Sequence, residues 1–446
     1  MICRNGMEKA ILYINHDFPP MSGPGVWRAL WFVKYLSEQG YKVTVICGNR
    51  SAWCNRYDNS LLREIPKEVR VKRLRSLFPD RFVSRLGRLV KRMRIPLLSR
   101  GYDALGSKLI GYYPEENLIW FMQALVAASC LVISGKIDCV ISSGPPHFTH
   151  VIGGCIRKIR RLPWIMDYRD LWTDDIPAQC PEGGYQRRLY ETLERKAIGC
   201  ADAIVTVSPS WVEHLKGKFS HLKDSGRFFL IRNGHNIGSP DPAETGPPRE
   251  SGRLHIHFNG TPQMLSKTDA LLRALVKFKA VHEAKDCKPL FTFAGIDEGY
   301  KKEIASHGLN DFIRDVGTMP HEESLRYSRT SDALMVIVNN DNPLRSGTIP
   351  AKTYEAMALQ RHILAVVPPN SDVRALLEEY GNATLCNVDD PDEICAGILE
   401  LVTRRTTGQL YGESGKVKRP GISEKYSRRA QVRQLATLIE HLAEEP

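Results

Sequence analysis

Short apolar runs alternate with longer helical patterns along most of the chain, and this alternation constrains the fold more than any other feature of the sequence. Between the first two runs, residues 25–39 place apolar side chains near helical spacing, and Gly40 follows as a stop signal. The first half predicts strands at 10–15, 42–47, 138–142, 164–167, 203–207 and 228–232. Strands that alternate with helices in this way predict a parallel sheet wrapped by helices.

The alternation is interrupted at 235–253, which is rich in proline, glycine and serine and poor in apolar residues. Beyond it we expect strands at 254–259, 289–294, 311–316, 333–338 and 362–367, with helices at 268–282, 300–307, 321–330 and 351–359. Because 446 residues exceed the size at which one hydrophobic core keeps growing, we interpret the interruption as a linker between two domains.

The sequence thus predicts an α/β protein with two Rossmann-like, doubly wound domains that face each other across a cleft. The expected bounds are 1–236 for the N-terminal domain, 237–253 for the linker and 254–424 for the C-terminal domain. A last helical pattern at 425–444 is expected to pack back on the N-terminal domain.

Charge is distributed unevenly between the two halves. Residues 1–236 carry 36 Lys+Arg against 21 Asp+Glu, a net +15, whereas the remainder carries 26 against 29, a net −3. The first half is therefore expected to face something anionic, either a nucleic acid or an acidic membrane surface; a basic, solvated face is the alternative. A nucleic-acid partner is not favoured, because the sequence contains no recognised DNA- or RNA-binding module.

The most polarised segment is 81–98, where one helical face is apolar and six cations occur without an acid. This pattern is typical of a helix that lies in a membrane interface. The alternative interpretation is a surface helix that faces the core of its own domain. A second segment, 117–135, contains no charged residue and is expected to form a buried helix, with a membrane span as the alternative.

Cysteine usage and the N-terminus both favour a cytoplasmic protein. The eleven cysteines form no CxxC pair and are interpreted as reduced thiols. The first ten residues include three charged side chains and do not resemble a signal peptide. We therefore expect a cytoplasmic location, with the basic segment 81–98 allowing peripheral contact with the inner face of the cell membrane.

A glycine-rich loop follows the first predicted strand. Gly23 and Gly25 stand directly before a helix, where a ligand can approach the backbone closely and the free N–H groups attract an anion. The loop matches neither the GxGxxG dinucleotide fingerprint nor a Walker A loop. Taken alone, it indicates only an anionic ligand.

Several short motifs occur in a characteristic order along nearly the whole chain. They are PPMSGPGVWR at 19–28, SSGPPHFTH at 142–150, MDYRDLW at 166–172, CADAIVTVS at 200–208, LIRNGHN at 230–236, FNGTPQMLSK at 258–267, DVGTMPHEESLRYSRTSDAL at 315–334 and SGTIPAKTYEAMA at 346–358. In this order the chain resembles the family-4 glycosyltransferases, which have the GT-B fold and retain the anomeric configuration of the transferred sugar.

The resemblance implies a donor site in the C-terminal domain, an acceptor site in the N-terminal domain, and transfer without a bound metal or other cofactor. Family members use an Arg and a Lys, six residues apart, to neutralise the leaving diphosphate, and two glutamates eight residues apart. These positions map onto Thr261 and Lys267 and onto Gly347 and Glu355, so that one cation and one carboxylate of the family pattern are missing. Lys352 could supply the lost positive charge.

The donor-binding residues expected from the resemblance are Gly260, Lys267, Arg345, Ser346, Gly347, Thr348, Lys352 and Glu355. Glu355 would hold the ribose hydroxyls, and Lys267, Ser346, Thr348 and Lys352 would hold the phosphates. The glycine-rich loop, through Gly23, Pro24, Gly25 and Arg28, would face the acceptor and the diphosphate.

The expected catalytic residues are His147 and Asp170. Asp167, Arg169 and Asp170 follow a predicted strand, where ligands of doubly wound sheets bind. An aspartate there could orient or deprotonate an acceptor hydroxyl, or an Arg–Asp pair could brace the loop. His147 is the nearby histidine expected to meet the leaving phosphate or the sugar.

The expected function is a retaining, metal-independent transfer of a hexose from a nucleotide-diphosphate sugar to an acceptor hydroxyl. The basic first half favours a lipid-linked acceptor in surface polysaccharide or glycolipid assembly, and a soluble secondary metabolite is the alternative acceptor. Because the GT-B fold also hosts sugar-nucleotide epimerases, an epimerase remains open, as does a nucleotide-sugar binding protein without catalytic activity.

Overall fold

The computed structural model describes residues 9–49, 57–74, 118–175, 184–238, 250, 252–260, 269–282, 287–339, 342–410 and 422–444. The chain divides into two compact units. Unit 1 comprises Met1–Val207, Trp211–Arg232 and Gln431–Pro446, and unit 2 comprises Ser208–Ser210 and Asn233–Ala430. The basic segment 81–98 and residues 239–249 of the predicted linker lie outside the described residues.

Unit 1 is built on a parallel sheet of seven strands. The strands are β1 (Ala10–Ile14), β2 (Lys42–Gly48), β3 (Arg70–Leu74), β4 (Cys139–Gly144), β5 (Trp164–Tyr168), β6 (Ala203–Thr206) and β7 (Phe228–Leu230), in the spatial order β3-β2-β1-β4-β5-β6-β7. The helices are α1 (Pro24–Glu38), α2 (Leu118–Ile133), α3 (Phe148–Ile159), α4 (Tyr185–Cys200) and α5 (Pro209–Lys218), the last of which begins in unit 2.

Unit 2 repeats this topology with six parallel strands. They are β8 (Arg253–Phe258), β9 (Lys288–Phe293), β10 (Ile313–Asp315), β11 (Ala333–Ile337), β12 (His362–Val367) and β13 (Ala383–Asn387), in the order β10-β9-β8-β11-β12-β13. The helices are α6 (Asp269–His282), α7 (Glu298–Ser306), α8 (His321–Thr330), α9 (Ala351–Ala358), α10 (Asp372–Tyr380), α11 (Pro391–Thr406), α12 (Ile422–Lys425) and α13 (Arg428–Glu444). Most of α13 belongs to unit 1.

Both sheets are doubly wound, which confirms the predicted fold class. In each sheet the first strand lies between the second and the fourth, so the strand order reverses at β1/β4 and at β8/β11. Alternate residues of β11 join different apolar clusters, Met335 one and Val336 the other, so this sheet is buried on both faces. Strands buried on both faces form continuous apolar runs, which is why the inner strands were predictable.

Helix α13 completes the core of unit 1. Its buried residues Val432, Leu435 and Ile439 belong to the same apolar cluster as Ile11 and Tyr13 of β1. Near its C-terminal end, Glu440 accepts hydrogen bonds from Lys9 and from the Tyr41 hydroxyl. The last segment of the chain therefore packs against its first strand.

Helix α2 corresponds to the uncharged segment predicted as a buried helix. The prediction is wrong for one face, because Met122, Val126 and Ile133 are exposed whereas Ala124 and Ala128 are fully buried. Among the residues that the structure describes, no helix combines the length and hydropathy that crossing a bilayer requires.

Candidate active site

In each unit, the site residues lie where the strand order of the sheet reverses. In unit 1 the chain leaves β1 toward Gly25 and leaves β4 toward His147, and in unit 2 it leaves β8 at Asn259. Ligands of doubly wound sheets bind at the carboxyl ends of the strands at these switch points. The two units therefore each provide one candidate binding region.

The most buried ion pair of unit 1 among those described joins Arg28 of α1 to Asp167 of β5. The Arg28 Nη2 donates to Asp167 Oδ1 at 2.8 Å, and both side chains are almost fully buried. The same guanidinium donates to the carbonyls of Ile231 and Arg232, each at 3.0 Å. Ser143 donates to the other carboxylate oxygen at 2.7 Å. We expect Arg28 from the sequence to face the diphosphate. In the structure its guanidinium instead bonds to Asp167 and to two backbone carbonyls inside unit 1.

Arg169 follows the same strand and holds the neighbouring loop. Its Nε donates to the Gly144 carbonyl at 2.9 Å, and its Nη2 donates to the Pro145 carbonyl. A Cβ on Gly25 would lie 1.8 Å from Arg169 Nη1. Gly25 is therefore required for close packing inside the protein, whereas a Cβ on Gly23 would meet no described heavy atom within 4 Å. Both glycines were predicted to allow a ligand close to the backbone, and only Gly23 has open space beside it.

His147 lies in a buried aromatic cluster at the start of α3. Its ring stacks on Trp172 with centroids 5.2 Å apart, and Tyr168 and His150 are neighbours within 6 Å. Burial, together with His150 and Arg169, lowers the pKa of His147 well below its ordinary value. At neutral pH this side chain is an uncharged hydrogen-bonding group.

A network around Glu194 of α4 fixes the loop that carries Asp170. The Tyr168 hydroxyl and the Thr173 hydroxyl both donate to this buried carboxylate, and Lys218 donates to it at 2.9 Å. Tyr168 in turn accepts a hydrogen bond from the backbone N–H of Trp172 at 2.8 Å. Asp170 itself is exposed, in contrast to the buried Asp167. Of the aspartates considered, Asp170 is the accessible one.

In unit 2, Lys352 of α9 reaches the carboxyl end of β8. Its Nζ donates to the Asn259 carbonyl at 3.3 Å and lies 3.9 Å from the centroid of the Phe258 ring. A Cβ on Gly260 would lie 2.7 Å from the same nitrogen, so Gly260 permits this approach. Burial lowers the pKa of Lys352 to about 8, and the nearby Glu355 opposes that shift.

Lys352 and Glu355 lie three residues apart on α9 and line one small, open pocket with His257, Asn259 and Ser328. Glu355 is mostly buried, and His321 Nε2 lies 3.9 Å from its Oε1. The remaining walls of the pocket are apolar side chains of α8, α9 and β11. Two opposite charges in a largely apolar pocket suit a polar ligand that is itself charged.

His257 is a pocket residue that the sequence analysis did not select. Its Nδ1 lies 2.9 Å from Thr292 Oγ1, and its Nε2 has no hydrogen-bond partner among the described residues. Burial lowers the pKa of His257 to about 4, so the ring is neutral at pH 7. The signal in the sequence, a histidine within an apolar strand, is too common to identify a site.

The other expected donor residues lie before α9. Ser346 and Thr348 are partly buried, and Gly347 is buried at the end of a short 3-10 helix, Pro343–Gly347. The helix N-cap is Pro350, which makes no side-chain capping bond. Lys267 and the side chain of Arg345 lie outside the described residues, so their expected roles stay predictions. Pro24 is the exposed first residue of α1, and its expected role also stays a prediction.

Comparison with known proteins identifies a glycosyltransferase domain within the chain. The family model described as a glycosyl transferase 4-like domain matches residues 25–234. The Pseudomonas aeruginosa protein named "Probable glycosyltransferase WbjE" is 24% identical over 297 residues, which cover 62% of this chain and 71% of the relative.

Solved structures with similar folds support the same assignment at the level of the fold. A glycosyltransferase from Rickettsia africae aligns with a TM-score of 0.62 at 14% identity, covering 98% of this chain and 100% of the other. A variant of S. aureus TarM, solved in complex with ligands that include UDP, aligns with a TM-score of 0.59 at 10% identity, covering 97% and 100%. Together these matches show a glycosyl transferase 4-like domain at residues 25–234 and, for the chain, the GT-B fold.

Proposed function

We propose that the protein transfers a hexose, with retention of configuration, from a nucleotide-diphosphate sugar to an acceptor hydroxyl. One observation carries the proposal. Lys352 is held at the end of β8, beside the close approach that Gly260 allows, and shares a pocket with Glu355. A cation and a carboxylate in one pocket suit the phosphate and the ribose of one donor molecule.

The donor side needs positive charge, because the nucleoside diphosphate leaves as an anion. This chain has Thr261 where the family has an arginine. Lys352 compensates for it: the phosphate attracts the ammonium group away from the Phe258 ring and Asn259 carbonyl. Lys267, Arg345, Ser346 and Thr348 add further contacts to the phosphates.

Glu355 holds the ribose hydroxyls by accepting two hydrogen bonds. The first N–H groups of α9, after Pro350, contribute to phosphate binding. The family's other carboxylate is replaced by Gly347, so Glu355 is the carboxylate of that pair which this chain retains.

On the acceptor side, Asp170 orients or deprotonates the acceptor hydroxyl, since it is exposed on a loop that the Glu194 network fixes. His147 acts as a neutral hydrogen-bonding group toward the sugar or the leaving phosphate, and Gly23 leaves room for the approaching ligand. In same-face attack the acceptor oxygen bonds to the anomeric carbon as the bond from that carbon to the phosphate oxygen breaks. The departing phosphate oxygen receives the acceptor proton while Asp170 orients the hydroxyl, and no metal is required.

The acceptor is proposed to be lipid-linked, as an intermediate of surface polysaccharide or glycolipid assembly. Support comes from the net +15 of residues 1–236 and from the basic segment 81–98. The protein would then work at the inner face of the cell membrane as a peripheral protein.

The donor site is tested by a thermal-shift screen with UDP-, GDP-, dTDP- and ADP-sugars. A bound donor at about 100 times its Kd adds about 2.7 kcal/mol to the free energy of unfolding. For the nucleotide that binds, Lys352→Ala and Glu355→Gln are each expected to weaken affinity by about tenfold to a hundredfold, because each removes a charged contact to the ligand. Lys302→Ala, on exposed α7, is the matched control and should bind like the wild type.

The reaction itself is tested by incubating the enzyme with the donor, with and without acceptor, and following the sugar by NMR. Transfer with the anomeric configuration retained is the expected result. Conversion of the donor sugar in the absence of any acceptor would instead make the protein an epimerase, and an inverted linkage would contradict the proposed mechanism. A protein that binds donors but turns none over would be a binding protein.

A further inference from the structure

An apolar stripe runs along the exposed side of α2 in unit 1. Met122, Val126 and Ile133 lie on it at helical spacing and are 51%, 59% and 70% exposed, and the exposed Cys130 lies between the last two. The opposite side of α2 is packed, with Ala124, Ala128 and Val132 buried. We call these four exposed residues the α2 stripe. Large apolar side chains grouped in this way mark a contact surface.

Four exposed cations lie at the C-terminal end of the stripe: Lys136, Lys158, Arg160 and Arg161, which we call the basic cluster. The ends of α2 and α3 meet there, since Arg160 Nη1 donates to the Val132 carbonyl at 3.4 Å. Ile159, at the end of α3, adds a further exposed apolar side chain.

The charge around the stripe is predominantly positive. Residues 118–166 contain five Lys+Arg and a single acid, Asp138, which accepts a hydrogen bond from the backbone N–H of Ala10 at 2.8 Å. The segment at 75–117, directly before α2, is also basic, with nine Lys+Arg against four Asp+Glu. An apolar surface bordered by an excess of cations is complementary to an apolar layer bordered by anions.

We propose that the α2 stripe and the basic cluster form a docking surface for an anionic lipid bilayer. The stripe inserts its side chains among the acyl chains near the headgroups, and the basic cluster pairs with the lipid phosphates. This inference deepens the proposed membrane location and rests on it, but it assigns the contact to α2 and α3 rather than to 81–98 alone.

A second copy of the chain fits the same surface less well. In a two-fold symmetric dimer each patch meets a copy of itself, so two surfaces that both carry an excess of positive charge would face each other. An anionic bilayer supplies both the apolar layer and the opposite charge. The observations therefore favour lipid over self-association.

The test is flotation of the full-length protein with vesicles of phosphatidylcholine alone and of phosphatidylcholine mixed with phosphatidylglycerol. The wild type should float with the anionic vesicles, and less at high salt. Val126→Gln/Ile133→Gln should reduce this partitioning by about tenfold. Val276→Gln/Val281→Gln, at exposed positions of α6 in unit 2, is the matched control and should float like the wild type. Lys158→Gln/Arg160→Gln/Arg161→Gln should remove the preference for anionic vesicles.

Three outcomes would overturn the inference. One is a wild type that fails to float with either vesicle, the second is equal flotation of the Val126/Ile133 variant and the wild type, and the third is a dimer in sedimentation velocity that this variant dissociates. Stabilisation by the donor nucleotide is measured on every variant. It reports folding, and it separates the two proposals: donor binding without flotation removes the docking surface but leaves the transferase intact.

Discussion

Lys352 combines two environments that act on its charge in opposite directions. Its ammonium group lies over the Phe258 ring and near the Asn259 carbonyl, both of which attract a cation. Burial nevertheless lowers its pKa to about 8, because water is largely excluded from this end of the pocket. The charge proposed for donor binding is therefore sensitive to pH within a range that is easily measured.

We predict that affinity for the nucleotide found in the thermal-shift screen falls as the pH rises from about 7 to about 9. Lys352 is protonated below about pH 8 and loses its charge above it, which weakens attraction to the diphosphate. Lys352→Arg, which stays charged throughout, should bind with little change over this range. Isothermal titration at several pH values measures the effect, and parallel profiles for the two proteins would argue against Lys352 as the phosphate ligand.

At the same scale, residue types were easier to predict than their partners. Arg28 and Asp167 were both selected from the sequence, yet their pairing was not foreseen, because the two are separated by 139 positions and only the fold brings them together. His257 was missed because its unpartnered ring nitrogen depends on burial between β9 and α8, which no local pattern reports. Gly347 and Glu355 were selected by resemblance alone.

At the scale of elements, the N-terminus of α1 is held against the loop after β4 through Gly25. We predict that Gly25→Ala lowers the free energy of unfolding by about 1–3 kcal/mol, because the new methyl group would displace the Arg169 guanidinium from its two carbonyl partners. Gly23→Ala, two residues earlier and in extended backbone, should change it by less than about 0.5 kcal/mol.

Urea unfolding followed by circular dichroism measures both glycine variants. An equal loss of unfolding free energy in the two variants would mean that the destabilisation arises from the backbone of the loop and not from displacement of Arg169. If only Gly25→Ala loses stability and donor binding to unit 2 is preserved, Gly25 serves internal packing. The expectation that it contacts the ligand is then not needed to explain the glycine.

The sequence predicted every inner strand, but of the four edge strands it predicted only β7 and β10. Strand β5, with the sequence WIMDY, is fully buried and forms an apolar run. Strand β3, with the sequence RVKRL, lies at the edge of its sheet, where solvent permits charges that obscure the strand pattern. Strand β13, at an edge of the second sheet, has the sequence ATLCN, whose small and polar residues form no continuous apolar run.

At the scale of the whole molecule, four buried histidines make stability sensitive to acid. Burial lowers the pKa of His257 and His362 to about 4 and that of His150 to about 3, and it holds that of His147 well below its ordinary value. In the unfolded chain all four take up protons near pH 6.5. Between about pH 6.5 and pH 4 the unfolded state therefore binds more protons, and the folded state loses stability as the pH falls.

We predict that the urea midpoint decreases steadily between about pH 7 and pH 5. Each histidine lowers the free energy of unfolding by up to about 1.4 kcal/mol per pH unit over this range. His362→Gln, which keeps an amide near Asn382 and Thr384, should reduce this dependence in unit 2. Unfolding curves at matched ionic strength provide the measurement. A midpoint that stays constant or rises on acidification would show that these rings are protonated in the folded protein.

Helix α13 has a consequence for how the protein is made. It supplies Val432, Leu435 and Ile439 to a core whose other members were synthesised some two hundred residues or more earlier. During translation, the apolar surface of unit 1 that α13 covers therefore stays exposed until α13 has left the ribosome. Chaperone binding should accordingly continue until α13 has been synthesised, and any excised first unit needs residues 431–446 supplied alongside it.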